Sequence, residues 1–311
     1  MDNDTWDVII IGGGSAGLSA ALMLGRSRRR VLVLDDGKPR NRFVAHMHGV
    51  LGRDHTSPLA LLADGRAELA RYDSVEVRDA SVSTARAHAG GFSVELDSGA
   101  THRSRRLLVA SGLRDQLPDI PGLADQWGRG VVICPYCDGW EVRDRRIVII
   151  AGGPASTHQA QLMRQLSNSV SYLVNGSELP DEAAAGLRAR GITIDDRPIA
   201  AIVTDAGDVL TGIRFADRSV LDADAVFAGP LPMPNDALLR AFGANVVERQ
   251  GTEWVEVDGF GRTSVPGLWA AGNITDGRSS VPYAMSAGNM AGAGLNADLV
   301  DEDVRISLDA A

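Results

Sequence analysis

The sequence predicts an α/β chain of two Rossmann-like, three-layer (ββα) dinucleotide-binding domains. Three observations predict it. A continuous apolar run, Val8-Ile-Ile-Ile11, opens into Gly12-Gly-Gly14-Ser-Ala-Gly17 and then a helix pattern from Leu18 to Leu24. A second such unit starts at Ile147-Val-Ile-Ile150, passes Ala151-Gly-Gly153-Pro-Ala-Ser156 and continues as helix to Leu166. Two proline-rich joints, Leu117-Pro-Asp-Ile-Pro-Gly122 and Gly229-Pro-Leu-Pro-Met-Pro234, flank the second unit and mark candidate domain boundaries. Apolar runs without alternation suit strands buried on both faces, and a glycine turn between such a strand and a helix is how a dinucleotide-binding half begins.

In the first unit, Gly12 permits the tight turn, Gly14 lets a pyrophosphate approach the backbone, and Gly17 lets helix and strand pack closely. The next apolar strand, Val31-Leu-Val-Leu34, ends in Asp35, close to the spacing at which an acid binds a ribose hydroxyl. Residues 37–41 read as a loop, and His46-Met-His48 follows it. A helix pattern runs from Ser57 to Arg71. Strands are expected at Val75–Val77, Phe92–Leu96 and Arg105–Ala110, the last opening into Ser111-Gly112.

Cys134-Pro-Tyr-Cys137-Asp138-Gly139 lies just past the first joint and holds both cysteines of the chain. This spacing lets two thiols close a small disulfide ring and reopen it, and it lowers the pKa of one of them. Exchange needs a thiolate to attack and a proton to reach the leaving sulfur. Asp138 is placed to carry that proton. A structural zinc needs four ligands. No second cysteine pair exists, so His46 and His48 would have to complete the set, and the redox reading is preferred.

The second unit is degraded. Ala151 and Ser156 stand at glycine-type positions, and the following strand, Val170–Val174, ends in Asn175-Gly-Ser177 with neither acid nor arginine. An arginine there would accommodate the 2′-phosphate of NADP. Arg164 and Arg188 are the cations with a chance of reaching the site from neighbouring helices. Further strands are expected near Ile192–Ile194, Ile213–Phe215, Ala225–Ala228 and Trp254–Val257. Gly267-Leu-Trp-Ala-Ala-Gly-Asn273 aims Asn273 at a ligand, and a small-residue helix over residues 284–299 closes the fold.

Composition bounds the function. The 311 residues suit about two domains. The formal charge of −9, without a basic block, argues against nucleic acid as a partner. The run from Arg26 to Arg30 reads as a solvated turn between helix and strand. No stretch approaches the roughly 20 apolar residues of a membrane span, and the acidic start lacks the features of a signal peptide. A cytoplasmic protein with a catalytic cysteine pair is therefore expected.

Together these residues resemble the thioredoxin reductase family of flavoproteins along almost the whole chain. The carrying motifs are Gly12–Gly17, Leu108-Val-Ala-Ser-Gly112, Cys134–Gly139 and Leu268-Trp-Ala-Ala-Gly-Asn273. The resemblance implies FAD in a discontinuous domain of residues 1–113 and 236–311. Contacts to it are expected from Gly12, Gly14, Ser15, Ala16, Gly17, Asp35, Asp36, Arg40, Asn41, Ser111, Gly112, Gly272 and Asn273. It implies an inserted NAD(P)-type domain, 114–235, carrying the cysteines, and a homodimer. It also implies that Cys137 faces the flavin, Cys134 exchanges with substrate and Asp138 handles the proton.

Four departures bear on direction. They are the altered second glycine motif, Asn175-Gly-Ser177 in place of a basic triplet, Val281-Pro282 in place of an Arg-Gln pair, and Asn273 in place of aspartate. In these the chain is similar to the dithiol oxidases that close disulfides in gliotoxin- and holomycin-type natural products. The expectation is an FAD-dependent oxidase of a small-molecule dithiol, with O2 reduced to H2O2 and His46 and His48 as proton carriers. The rivals are an NADPH-dependent thioredoxin or small-disulfide reductase, and a flavoprotein that senses redox state without turnover.

Overall fold

The computed structural model describes residues 5–153 and 155–311; the acidic start, 1–4, and Pro154 of the second glycine turn lie outside them. The chain forms two compact units. The first comprises residues 5–42, 58–114 and 232–311, the second residues 43–57 and 115–231.

The first unit is built on the parallel strands Val75–Asp79, Val31–Asp35, Thr5–Ile11 and Thr101–Val109, in that spatial order. Thr101–Val109 branches the sheet. Its start pairs antiparallel with Gly91–Leu96, and its end pairs parallel with Leu268–Ala270. Successive side chains on a strand point to opposite faces, so an unbroken apolar run feeds two cores at once. Val8, Ile10, Val31 and Val33 join one core, under the helices Ser15–Arg26 and Val281–Asp309. Ile9, Ile11, Leu32 and Leu34 join the other, with Phe92 and Val94 of the antiparallel layer. The strand Val82–His88, which pairs with Gly91–Leu96, was not expected. Its mix of Val82 and Ala85 with Arg86 and His88 gives little apolar alternation to detect.

The last helix is longer than its apolar pattern suggested. Beyond residue 299 it is held by charge: Arg105 binds Asp7 at 3.0 Å, Glu302 at 2.7 Å and Asp303 at 2.5 Å, and Arg29 binds Asp303 at 2.7 Å. Its inner face is made of small residues because it lies on the backbone of Ser15–Arg26. A Cβ on Gly288 would run into the carbonyl of Ala16, and one on Gly292 would come within 2.7 Å of the carbonyl oxygen of Ala20.

The second unit has a parallel sheet in the order Thr193–Asp195, Val170–Leu173, Ile147–Ile150, Ala225–Ala228, Val131–Val132. An antiparallel sheet of Ile199–Thr204, Leu210–Phe215 and Val220–Asp222 covers one face, and the helices Ala155–Met163 and Asp181–Ala189 cover the other. The division differs from the expected one at residues 43–57, which pack with the second unit. Phe43 lies against Gly128, and His48 sits between Asp54 and Glu141. These partners are far away in sequence, so continuity with the first glycine unit was misleading. Among the described residues, no helix is long and apolar enough to cross a membrane.

Two glycine substitutions test the packing. Alanine gains about 1 kcal/mol over glycine in a helix interior. Gly186 has only the Gln161 amide nitrogen near its open side, at 3.7 Å, so Gly186→Ala should raise the melting temperature. Gly288→Ala should lower it, because overpacking against backbone costs about 1–3 kcal/mol and outweighs the helical gain. Thermal unfolding of the two variants checks the opposite signs.

Candidate redox and nucleotide sites

Cys134 ends an extended segment after Val131–Val132 and caps the short helix Pro135–Asp138. Proline is suited to the first helical position, where its fixed φ is already helical and its missing N–H has no partner to lose. Cys134 and Cys137 are joined in a disulfide, with Cα atoms 5.1 Å apart, inside the usual range. The Cys137 N–H donates to Cys134 Sγ at 3.2 Å, and the Cys134 carbonyl accepts from the Asp138 N–H at 3.0 Å. An amide aimed at that sulfur favours its thiolate once the bond opens. Gln159, from the helix Ala155–Met163, anchors the approach by donating to the Ile133 carbonyl at 2.5 Å. Tyr136 is 79% exposed and Trp140 63% exposed, with the Arg143 guanidinium 4.2 Å from the Trp140 ring centroid.

Asp138 is pushed up from 3.8 to about 6. Burial is the main cause and the charge of Glu141 adds to it; His48 and a backbone hydrogen bond at Cys134 oppose it. His48 lies on the loop 47–56, which is closed by Met47 N–H donating to the Thr56 carbonyl at 2.9 Å and Gly49 N–H donating to Asp54 Oδ1 at 2.8 Å. Its Nδ1 is 3.7 Å from Asp54 Oδ1 and its Nε2 3.6 Å from Glu141 Oε1. The His55 ring lies 5.3 Å from that of His48 and stacks on His46 at 4.1 Å. Among the described residues no group of three or more His, Cys, Asp and Glu side chains has the geometry to hold a metal ion.

The first glycine turn is open where a ligand would need room. Gly12 has φ 105°, and a Cβ there would meet the Ala110 carbonyl; a Cβ on Gly17 would meet the carbonyl of Gly12. Gly14, at the N-terminus of Ser15–Arg26, has no heavy atom within 4 Å of a Cβ position. This is a cradle for a phosphate group, with helix amides facing it. Asp35 is buried at the end of its strand; Oδ1 accepts from Gly13 N–H at 3.0 Å and Oδ2 from Arg66. Arg66, which also binds Asp79 at 2.7 Å, was not singled out from sequence, because a lone arginine on a helix carries no motif.

The other expected contacts are only partly gathered. Ser111 and Gly112 lie beside the turn and are tied to Asn235: Asn235 Nδ2 donates to the Ser111 carbonyl at 2.9 Å and Ser111 Oγ to the Asn235 carbonyl at 2.9 Å. Gly272, with φ 85°, abuts Ala16. Asn273 Nδ2 clips the following loop, donating to the carbonyls of Asp276 at 3.2 Å and Ser279 at 3.0 Å. Arg40 reaches the same loop at the Gly277 carbonyl, 3.0 Å away. Asn41 is half-buried, and Asp36 is exposed and pairs with Lys38 at 3.4 Å.

In the second turn Gly153 leaves open space as Gly14 does, and Ser156 stands where the first turn has Gly17. Ser156 Oγ donates to the Gly153 carbonyl at 2.6 Å and lies 3.0 Å from the Tyr172 hydroxyl. Asn175, at the end of the next strand, accepts the Ile199 N–H at 3.2 Å. Nearby Arg197 is bound to Asp195 and Ser219 Oγ and lies over Phe215. Arg164 donates to the Arg190 carbonyl at 2.8 Å and the Ser167 carbonyl at 3.3 Å. Arg164 follows one helix and Arg188 ends another, each just before a parallel strand begins. Both therefore lie toward the amino edge of the sheet, whereas a dinucleotide binds at the carboxyl edge.

The chain matches the model of the family described as Pyridine nucleotide-disulphide oxidoreductase over residues 6–288. It is 33% identical over 278 residues to thioredoxin reductase tcpT of Claviceps purpurea (strain 20.1), covering 86% of each chain. It is 31% identical over 316 residues to thioredoxin reductase sirT of Leptosphaeria maculans, covering 96% of each. It is similar to the crystal structure of HlmI, with 39% identity and a TM-score of 0.93, covering 100% of this chain and 97% of that one.

The raised carboxyl of Asp138 makes a prediction about stability. A group whose proton affinity is higher folded than unfolded stabilises the fold fully below its unfolded pKa and loses that contribution as pH rises through the folded value. The stability of wild type relative to Asp138→Asn should therefore fall between about pH 4 and about pH 6 and level off above. Urea unfolding of both proteins across this range measures it; a flat difference would contradict the burial of the carboxyl.

Proposed function

The chain belongs to the pyridine nucleotide-disulphide oxidoreductase family, and we propose that within it the protein is a dithiol oxidase, closing an intramolecular disulfide in a small molecule with O2 as final acceptor. It is an oxidoreductase, and its cofactor is FAD. The observation that carries the proposal is the contrast between the two turns. Gly14 and Gly153 both leave room at the helix start, but where the first turn has Gly17 the second has Ser156, bonded to the Gly153 carbonyl and beside the Tyr172 hydroxyl, and the following strand ends without a cation. An enzyme fed by NADPH needs close backbone approach at the pyrophosphate and positive charge at the 2′-phosphate.

The residues support the following chemistry. A substrate thiolate attacks Cys134 Sγ, and Cys137 leaves as a thiolate. The second substrate thiol gives its proton to Asp138 and attacks the substrate sulfur of the mixed disulfide. Cys134 then leaves as a thiolate, stabilised by the Cys137 N–H, and the product departs as a cyclic disulfide. Two electrons are left on the cysteine pair and two protons on the protein or in solvent. Gly12, Gly14, Gly17 and Asp35 would hold FAD, which when bound accepts those electrons and passes them to O2. The net change is a dithiol and O2 to a disulfide and H2O2. The name thioredoxin reductase, carried by relatives of this chain, supports the second reading, an NADPH-dependent reductase.

Anaerobic stopped-flow separates the two readings. A small dithiol should bleach the flavin absorbance rapidly, NADPH and NADH almost not at all, and peroxide should form when air is admitted. Bleaching by NADPH at catalytic rates would restore the reductase. Asp138→Asn should lower turnover by at least about 100-fold while FAD content stays normal, because a general acid–base group contributes that much or more. Turnover within about twofold of wild type would remove Asp138 from the mechanism.

A further inference from the structure

Arg66, on the helix Pro58–Leu69, bridges the ends of two neighbouring strands of the first unit. Its Nη2 donates to Asp35 Oδ2, and its Nη1 donates to Asp79 Oδ1 at 2.7 Å. The two acids are register partners where the parallel strands Val31–Asp35 and Val75–Asp79 end. Like charges side by side repel, and a cation between them offsets that. The surroundings of the two acids differ. The Asp79 side chain is 82% exposed, so its pair with Arg66 contributes little by itself. The Asp35 side chain is 12% exposed and abuts the first glycine turn, where a Cβ on Gly13 would come within 2.8 Å of its carboxyl. The contact that matters is therefore the one to Asp35.

Asp35 is anchored through both oxygens, Oδ1 by the Gly13 N–H at 3.0 Å and Oδ2 by Arg66. Each carboxylate oxygen has two lone pairs, so each keeps one for a further donor. With the Gly13 anchor alone, the carboxylate could turn about its Cβ–Cγ bond, a torsion with only broad preferences. We propose that Arg66 is a positioning residue for FAD that acts through Asp35: it fixes the carboxylate so that its free lone pairs serve the adenosine ribose hydroxyl. It also offsets the negative charge that two acids bring toward a turn built for a pyrophosphate. The inference rests on FAD as cofactor and on Asp35 as the acid for its ribose, and it holds for either direction of electron flow. Only Pro58 and Leu69 of the helix are buried, so Arg66 also braces that helix, and the test has to separate the two roles.

The test is an exchange of the bound flavin in the full-length, FAD-loaded protein. The protein is equilibrated with a mixture of FAD and its analogue lacking the adenosine ribose 2′-hydroxyl, and the ratio retained after gel filtration is read by chromatography. A hydrogen bond to a charged group is worth about 10- to 100-fold in binding, so wild type should prefer FAD by at least about 10-fold. Arg66→Met keeps an unbranched side chain without a donor. It should cut that preference to below about threefold and release FAD about 10-fold more readily on dilution. Arg66→Leu removes the donor in a second way and preserves the test if Arg66→Met folds poorly. The readout requires no turnover, so it stands apart from the fate of the oxidase reading. No preference in wild type would overturn the proposal at Asp35. An undiminished preference in the Arg66 variants, whatever their melting temperatures, would overturn it at Arg66 and leave the arginine as a brace for its helix.

Discussion

A carboxyl group half-buried beside a disulfide is costly to ionise, and that cost falls on Asp138. Asp138 follows Cys137 directly, so a short helix turn that brings the sulfurs together also carries the carboxyl inward. The turn is held from below: a Cβ on Gly139 would run into the Pro135 carbonyl and approach Leu166 and Met163. Charge is then supplied around it. Glu141 pushes the group toward its neutral form, and His48 pulls the other way. Without the histidine, burial and like charge would act together.

The two glycine turns show how one scaffold keeps a site or loses it without losing the fold. In both units an apolar strand enters a turn and a helix leaves it, and parallel pairing continues on either side. Gly14 and Gly153 both leave open space at the helix start, and the difference lies in the side chains beside it. Around Gly14 no side chain intrudes, and Asp35 is fixed by Gly13 and Arg66. Around Gly153 the hydroxyls of Ser156 and Tyr172 meet each other, and the strand-end asparagine binds backbone. Internal hydrogen bonds satisfy groups that a bound nucleotide would otherwise have to satisfy.

What the sequence made legible follows the range of the interactions involved. The Gly12–Gly17 turn, the alternating cores of the central strands and the disulfide are written in contiguous residues whose spacing carries the geometry. Arg66, Glu141 and His55 were missed because each acts on a residue remote in sequence or without a motif of its own. The amide of Asn273 also has a local partner. Its position after a buried strand and a glycine turn suggested a ligand contact, while its amide serves the loop only three to six residues ahead. Residues 43–57 were assigned by continuity, and only their contacts with Gly128 and Glu141 show where they pack.

The proton affinity of Asp138 also bears on how a thiol can be activated here. A free thiol has a pKa near 8.5, so an ordinary carboxylate near 4 is a poor acceptor for its proton. Raising the carboxyl to about 6 removes roughly half of that mismatch while leaving it mostly ionised at neutral pH. A stronger shift would favour transfer further but would leave the group already protonated and unable to accept. Burial by itself has no upper stop, and Glu141 pushes in the same direction. His48 acts against both, so a loop with no cysteine and no cofactor motif bears on the same carboxyl.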